Sequence, residues 1–256
     1  MVRNREGKPV SATCPTCAGT GFEIRARPDG GSEAARCNCV LEDRSRTLLR
    51  SVRIPRRYDH CTLDSFELHH PSLEKARQVS QDWTERWPIV EHGLLFLGQP
   101  GTGKTHLAVS IARELVQAKQ ARVLFCEQRE LLKSLQGTYD AGASLREAEV
   151  LGPVLGAEVL ILDDLGAGRI TPWARDVLND VIVHRYNEKL PLIMTSNHPT
   201  GEDEHEGRNP QDSRDRVTLK DRLGDALMSR IHEMCLDLTF EGMDYRRGVR
   251  HARHHF

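Results

Sequence analysis

The chain has 256 residues, with 36 Lys and Arg against 37 Asp and Glu and a formal charge of −1. That length holds one substantial core and a small appendage, and the charge balance excludes a uniformly basic nucleic-acid binder. The longest apolar runs, LLFL at 94–97 and VLIL at 159–162, are too short to span a bilayer, and MVRNREGKPV has no apolar signal core. A cytoplasmic location with no membrane partner is therefore expected. In that reducing compartment, clustered cysteines point to metal before disulfides.

Taken in chain order, residues 1–45 are polar, rich in Gly and Arg and poor in core-forming side chains, so they cannot fold by apolar burial alone. They contain four of the seven cysteines, as C-x-x-C (Cys14, Cys17) followed by C-x-C (Cys37, Cys39). Two close thiolate pairs match tetrahedral Zn²⁺, whose binding is worth on the order of 10–16 kcal/mol in small finger peptides and offsets the missing core. An iron–sulfur cluster or a redox pair are the alternatives. Cys61, Cys126 and Cys235 have no partners nearby in sequence and are expected as buried apolar thiols.

Residues 46–70 form a basic connector. From Met1 to Arg57 there are 12 Lys and Arg against 6 Asp and Glu, and the stretch from Phe240 onward has four Arg and three His against two acids. Such ends are either solvated or suited to phosphate or an acidic partner.

From Pro71 an alternation begins. PSLEKARQVSQDWTERW reads as a helix stopped by Pro88, GLLFLG (93–98) as a buried strand, THLAVSIARELVQAK as a helix and RVLFCE as a strand. Two charged helical pieces follow, EQRELLKSLQ and SLREAEVLGPVL. Then come EVLILDD (158–164) as a buried strand, WARDVLNDVIVHRYNEK as a helix and PLIMTSN (191–197) as a third buried strand. Polar residues over 197–220 predict a surface insertion, after which DRLGDALMSRIHEM reads as a helix and CLDLTF as a terminal strand. Strands alternating with helices predict an α/β fold, a parallel sheet with helices on both faces.

GQPGTGKT, comprising Gly98, Gln99, Pro100, Gly101, Thr102, Gly103, Lys104 and Thr105 and followed by His106, fits G-x-x-x-x-G-K-[ST] between a buried strand and a helix. In that context the loop turns backbone N–H groups toward phosphate, Lys104 reaches the β- and γ-phosphates of ATP, and Thr105 ligates Mg²⁺. VLILDD then supplies Asp163 as the metal carboxylate at a strand end and Asp164 as the group that orients or deprotonates the attacking water. Asn197, closing the third strand, is a polar group for the γ-phosphate and water.

The ordered set GQPGTGKTHLA, VLILDDLG, HRYNEKLPLIMTSN and RLGDALMSRI resembles the DnaC/DnaI/IstB branch of the AAA+ ATPases, over about Arg56 to Arg246. The resemblance implies an AAA+ P-loop ATPase domain over 71–246, preceded by a Cys₄ zinc-binding module (1–45) and basic linker (46–70) and followed by a basic His-rich tail (247–256). It implies self-association with nucleotide at the subunit boundary, Arg230 as the arginine offered to a neighbour's γ-phosphate, and Arg246 as a nucleotide-sensing arginine in cis. By the same analogy Tyr58 and Phe66 line the base pocket or pack in the core. Arg129, Lys133 and Arg146 become candidates for contacts to single-stranded DNA. Many relatives carry Glu where this chain has Asp164, a methylene shorter, which suits a slow switch better than a motor.

The resemblance, with its cysteine module, implies an ATPase that loads the hexameric replicative DNA helicase onto single-stranded DNA. The module would dock on the helicase through Arg25, Arg27 and Arg36. Two alternatives remain open: an IstB-like helper that delivers a transposase, and an adaptor that binds zinc and ATP without hydrolysis.

Overall fold

The computed structural model describes residues 14–138, 143–201 and 217–246. The tail 247–256, most of the insertion at 197–220 and the first thirteen residues of the module lie outside that description, as do the side chains of 143–146, Arg146 among them.

The core is a five-stranded parallel sheet in the order β4-β5-β6-β3-β7. Its strands are β3 (Gly93–Gly98), β4 (Val123–Glu127), β5 (Val159–Asp163), β6 (Leu192–Ser196) and β7 (Cys235–Phe240). The chain leaves β3, crosses two strand positions to β4 at the far edge, returns through β5 and β6, and places β7 on the other side of β3. Crevices form at the carboxyl ends of strands where such an order reverses, and ligands bind there.

The continuous apolar runs are explained by burial on both faces. Side chains alternate across a strand, so Leu94 and Phe96 join one cluster with Leu107, Ile111, Ile161 and Phe240, while Leu95 and Leu97 join the other with Leu160, Leu162, Met194 and Leu178. Helices α1 (Asn38–Val52), α2 (Pro71–Arg86) and α3 (Lys104–Lys119) contribute to the first cluster. The second takes α4 (Gln128–Gln136), α5 (Ala143–Gly156), α6 (Pro172–Asn187), α7 (Leu219–Leu223) and α8 (Asp225–Met234). Leu95 is fully buried, and truncating such a residue to Ala costs about 2–5 kcal/mol.

Arg185 of α6 is also fully buried. It donates to the carbonyls of Val154 (3.1 Å), Ala157 (3.1 Å), Glu158 (3.4 Å) and Pro191 (2.9 Å), tying the end of α5 to the loops that enter β5 and β6. Burial pulls its pKa down to about 10.

Three features depart from the sequence expectations. A two-stranded antiparallel hairpin, β1 (Phe22–Ala26) and β2 (Ser32–Arg36), lies inside the cysteine segment. Helix α1 runs unbroken across residues 45 and 46, because Val52, Leu48 and Leu49 find apolar partners on the core beyond it. The helix expected over 221–234 is split at Gly224, whose φ of 90° is incompatible with a right-handed turn. The first half, α7, is held by a capping box between Thr218 and Asp221.

Candidate functional site

The loop after β3 curls tightly. Gly101 and Gly103 have φ of 81° and 101°. A Cβ on Gly101 would lie 1.8 Å from the Asp244 carboxylate, and one on Gly103 would lie 2.8 Å from the Phe66 ring. Thr102 braces the turn by donating to the Gln99 carbonyl at 2.9 Å.

The Lys104 ammonium folds back over this loop, donating to the carbonyls of Gly98 (2.7 Å) and Gln99 (2.8 Å). Burial lowers its pKa to about 8, against the opposing pull of Asp163 and Asp164. A cation held over a loop of inward backbone, at a helix N-terminus, is chemically matched to a polyphosphate.

Thr105, in the first turn of α3, donates to Asp163 Oδ1 at 2.9 Å. The same oxygen accepts from the Thr195 hydroxyl at 2.7 Å, and that hydroxyl in turn accepts from the Asp164 backbone N–H at 2.9 Å. The register that sets Leu162 beside Met194 brings Thr195 to this position. Thr195 was missed by sequence reasoning, and its only signal was a hydroxyl two residues before Asn197 at the end of a buried strand. Asp163 is 4% exposed, and burial raises its pKa while the two hydroxyls oppose the rise.

Asp164 sits in the left-handed region at φ 59°, turning its carboxylate out of the strand line to accept from Asn197 Nδ2 at 2.7 Å. Lys104, Thr105, Asp163, Asp164 and Asn197 thus converge at the carboxyl ends of β3, β5 and β6. Gln128, fully buried, accepts from the Gly166 N–H at 2.7 Å and fixes the turn beyond Asp164. Glu127 closes β4 beside Asp163 in register, and burial, then the neighbouring carboxylates Glu130, Asp163 and Asp164, raise its pKa.

The remaining predicted residues divide. Tyr58 and Phe66 are buried in the first apolar cluster, Phe66 against Gly103 and edge-on to His106 at 5.4 Å. Beyond β7 the chain returns over the loop, where Tyr245 N donates to the Gly101 carbonyl at 3.0 Å. Arg246 there is near enough that its charge disfavours a second cation at Lys104. The Arg230 guanidinium donates to the Ala226 carbonyl one turn back on α8, at 3.1 Å. Arg129 and Lys133 are exposed on α4.

The four N-terminal cysteines converge. Cys14 and Cys37 sulfurs are 3.7 Å apart, Cys17 and Cys39 3.5 Å, and all four lie within 4.8 Å of one another. Tetrahedral zinc with bonds of about 2.3 Å requires sulfur separations of about 3.8 Å, so the set fits zinc. Backbone N–H groups of Cys17 and Thr16 hold the Cys14 thiol down at about 6. The hairpin between the cysteine pairs leaves Phe22 57% and Ile24 81% exposed on one side of β1. Arg25 pairs with Glu23, and Arg27 pairs with Glu33 at 3.1 Å. Arg36 is exposed.

The profile of the IstB-like ATP binding protein family matches residues 38–252. The replicative helicase loader DnaC of Buchnera aphidicola subsp. Acyrthosiphon pisum is 25% identical over 194 residues, covering 75% of this chain and 72% of that protein. A putative ATP-binding protein of insertion sequence IS5376 from Geobacillus stearothermophilus is 30% identical over 164 residues, 64% of this chain and 63% of that protein. Among solved structures, a DnaC helicase loader superposes with a TM-score of 0.62 at 31% identity, covering 73% of this chain and all of that one. Among the described residues no helix is long and apolar enough to cross a membrane.

Proposed function

Because the chain belongs to the IstB-like ATP-binding proteins, within the DnaC/IstB-like AAA+ ATPases, we propose that it is a nucleotide-driven loader of a hexameric replicative DNA helicase onto single-stranded DNA. The observation that carries this choice is the four-cysteine module, whose hairpin presents Phe22 and Ile24 and is joined through α1 to the core. An exposed apolar pair on one face of a strand, with Arg36 in register beside Phe22, has the composition of a protein-docking patch.

In this reading Lys104 leaves the Gly98 and Gln99 carbonyls to neutralise the β- and γ-phosphates. Thr105 and Asp163, already hydrogen-bonded to one another, would hold Mg²⁺, which would supply neutralisation of phosphate charge. Thr195 keeps the Asp163 carboxylate aimed. Asp164, steadied by Asn197, orients the attacking water and accepts its proton. Arg230, whose guanidinium donates to the Ala226 carbonyl of its own helix, acts in this reading across a subunit boundary, completing a neighbour's site, with Arg246 sensing nucleotide in cis. Arg129 and Lys133 are proposed to touch the DNA backbone. A short acid at Asp164 favours slow turnover, as in a switch timed by assembly.

A second reading is favoured by the IS5376 relative: a helper that delivers a transposase to target DNA. Pull-down with the replicative helicase of the source organism, and separately with a transposase of the IS21 type, separates the two. The loader reading expects helicase capture by the intact protein and its loss in Cys14→Ser/Cys17→Ser and in Ile24→Glu. Failure of the intact protein to retain helicase, or retention of the transposase alone, rules it out.

A further inference from the structure

Among the described residues, outside the nucleotide site and the four-cysteine module, one more cluster of ligating side chains is assembled by the fold. His60 and Cys61 lie in the connector, and His106 lies in the first turn of α3, yet one ligand atom from each falls within 4.8 Å of the others. Sequence reading set Cys61 aside as an isolated apolar thiol. Its neighbours become visible only when the connector is laid against α3.

The geometry points to a second, solvent-accessible metal site of His₂Cys type at His60, Cys61 and His106, suited to zinc and keeping one open coordination position. The Cys61 sulfur is 3.9 Å from His60 Nε2. Zinc bonds of about 2.3 Å to sulfur and about 2.0–2.1 Å to nitrogen, at the tetrahedral angle, require about 3.6 Å, a few tenths of an ångström away. His106 Nε2 is 3.1 Å from the Thr62 carbonyl oxygen. A ring that donates one N–H to a backbone carbonyl keeps its other nitrogen, here Nδ1, as a lone-pair donor, which is the usual support of a metal-bound histidine.

The connector is stiffened for this purpose. The Ser65 hydroxyl donates to the His60 carbonyl at 3.1 Å, accepts from the Thr62 N–H at 3.0 Å and stands 3.3 Å from His106 Nε2. These bonds hold the 60–65 turn over α3 before any metal arrives. Cys61 is fully buried whereas His60 is exposed, so the sulfur forms the floor of the site and the open position faces solvent. Three protein ligands with one free position is the pattern of zinc sites that exchange a water or an external ligand. Binding displaces the Cys61 thiol proton to solvent. It also fastens the segment bearing Phe66 to the helix bearing Lys104 and Thr105, so occupancy tightens the wall against Gly103.

The inference does not depend on the loader reading. The test is a count of zinc retained by the full chain after equilibration with a chromophoric zinc indicator, comparing wild type with His60→Ala and Cys61→Ser. Cobalt substitution then reports the donors. Each variant should retain one equivalent fewer than wild type, and the cobalt spectrum should lose a band set of one-thiolate intensity while the four-thiolate bands persist. His60 is exposed, so equal urea midpoints for wild type and His60→Ala, both measured in chelator, separate metal loss from misfolding. Equal zinc content in wild type and His60→Ala overturns the site.

Discussion

The Thr105 hydroxyl donates to Asp163 Oδ1 at 2.9 Å, joining the last residue of the phosphate loop to the carboxylate that ends β5. Both groups are the ones proposed to hold Mg²⁺, and their hydrogen bond already brings them together. Thr105→Val should therefore cost only about 1 kcal/mol in folding, since Thr195 still partners Asp163. Turnover of Mg-ATP should fall by about a hundredfold or more, because the hydroxyl is irreplaceable as a ligand. Urea denaturation and steady-state phosphate release measure the two effects.

Thr195→Val should act in the opposite proportion. It removes a hydroxyl that serves Asp163 and the Asp164 N–H together, leaving a buried donor without an acceptor at a cost of about 1–3 kcal/mol. A shift of the urea midpoint of that size, with weakened hydrolysis, is expected; a midpoint equal to wild type would remove Thr195 from the account.

How much of this was legible in the sequence follows from which contacts are local. The loop from Gly98 to Thr105 lies within eight consecutive residues between a strand and a helix, so its pattern was readable as chemistry. The pairing of Asp163 with Thr195 depends on the register of β5 against β6, which single-sequence periodicity does not supply. The hairpin β1–β2 escaped because its side chains are nearly all exposed; backbone pairing, the flanking cysteines and the Arg27–Glu33 ion pair are what the sheet offers it. Helix α1 is not legible in the sequence, and the expected module boundary at residue 45 falls within it, because its apolar residues count only against partners on the core. His60, Cys61 and His106 were separately unremarkable for the same reason.

Nucleotide affinity should fall as pH rises through about 8. Burial lowers the Lys104 ammonium to about 8 in the free protein, and polyphosphate raises it on binding. Below that pH both states hold the proton and affinity is flat. Above it only the bound state does, so affinity declines by up to about tenfold per pH unit, with one proton taken up. Titration calorimetry in two buffers of different ionisation enthalpy reads the proton, and Lys104→Ala should show neither the uptake nor the slope.

Removing zinc should unfold the module and spare the core. The hairpin buries little apolar surface, whereas Leu94 to Leu97 are buried on both faces of the sheet. After chelation, hydrogen exchange should accelerate across Phe22–Ala26 and Ser32–Arg36 and stay slow across Leu94–Leu97. Unchanged protection of the hairpin would show that the thiolate cluster does not hold it.

The most direct test of a working nucleotide switch is ATP turnover by wild type, Lys104→Ala and Asp163→Ala, each with and without single-stranded DNA. The account predicts measurable wild-type turnover and a loss of at least about a hundredfold in both variants. Equal, negligible rates in all three, with and without DNA, would contradict it and leave a nucleotide-binding adaptor.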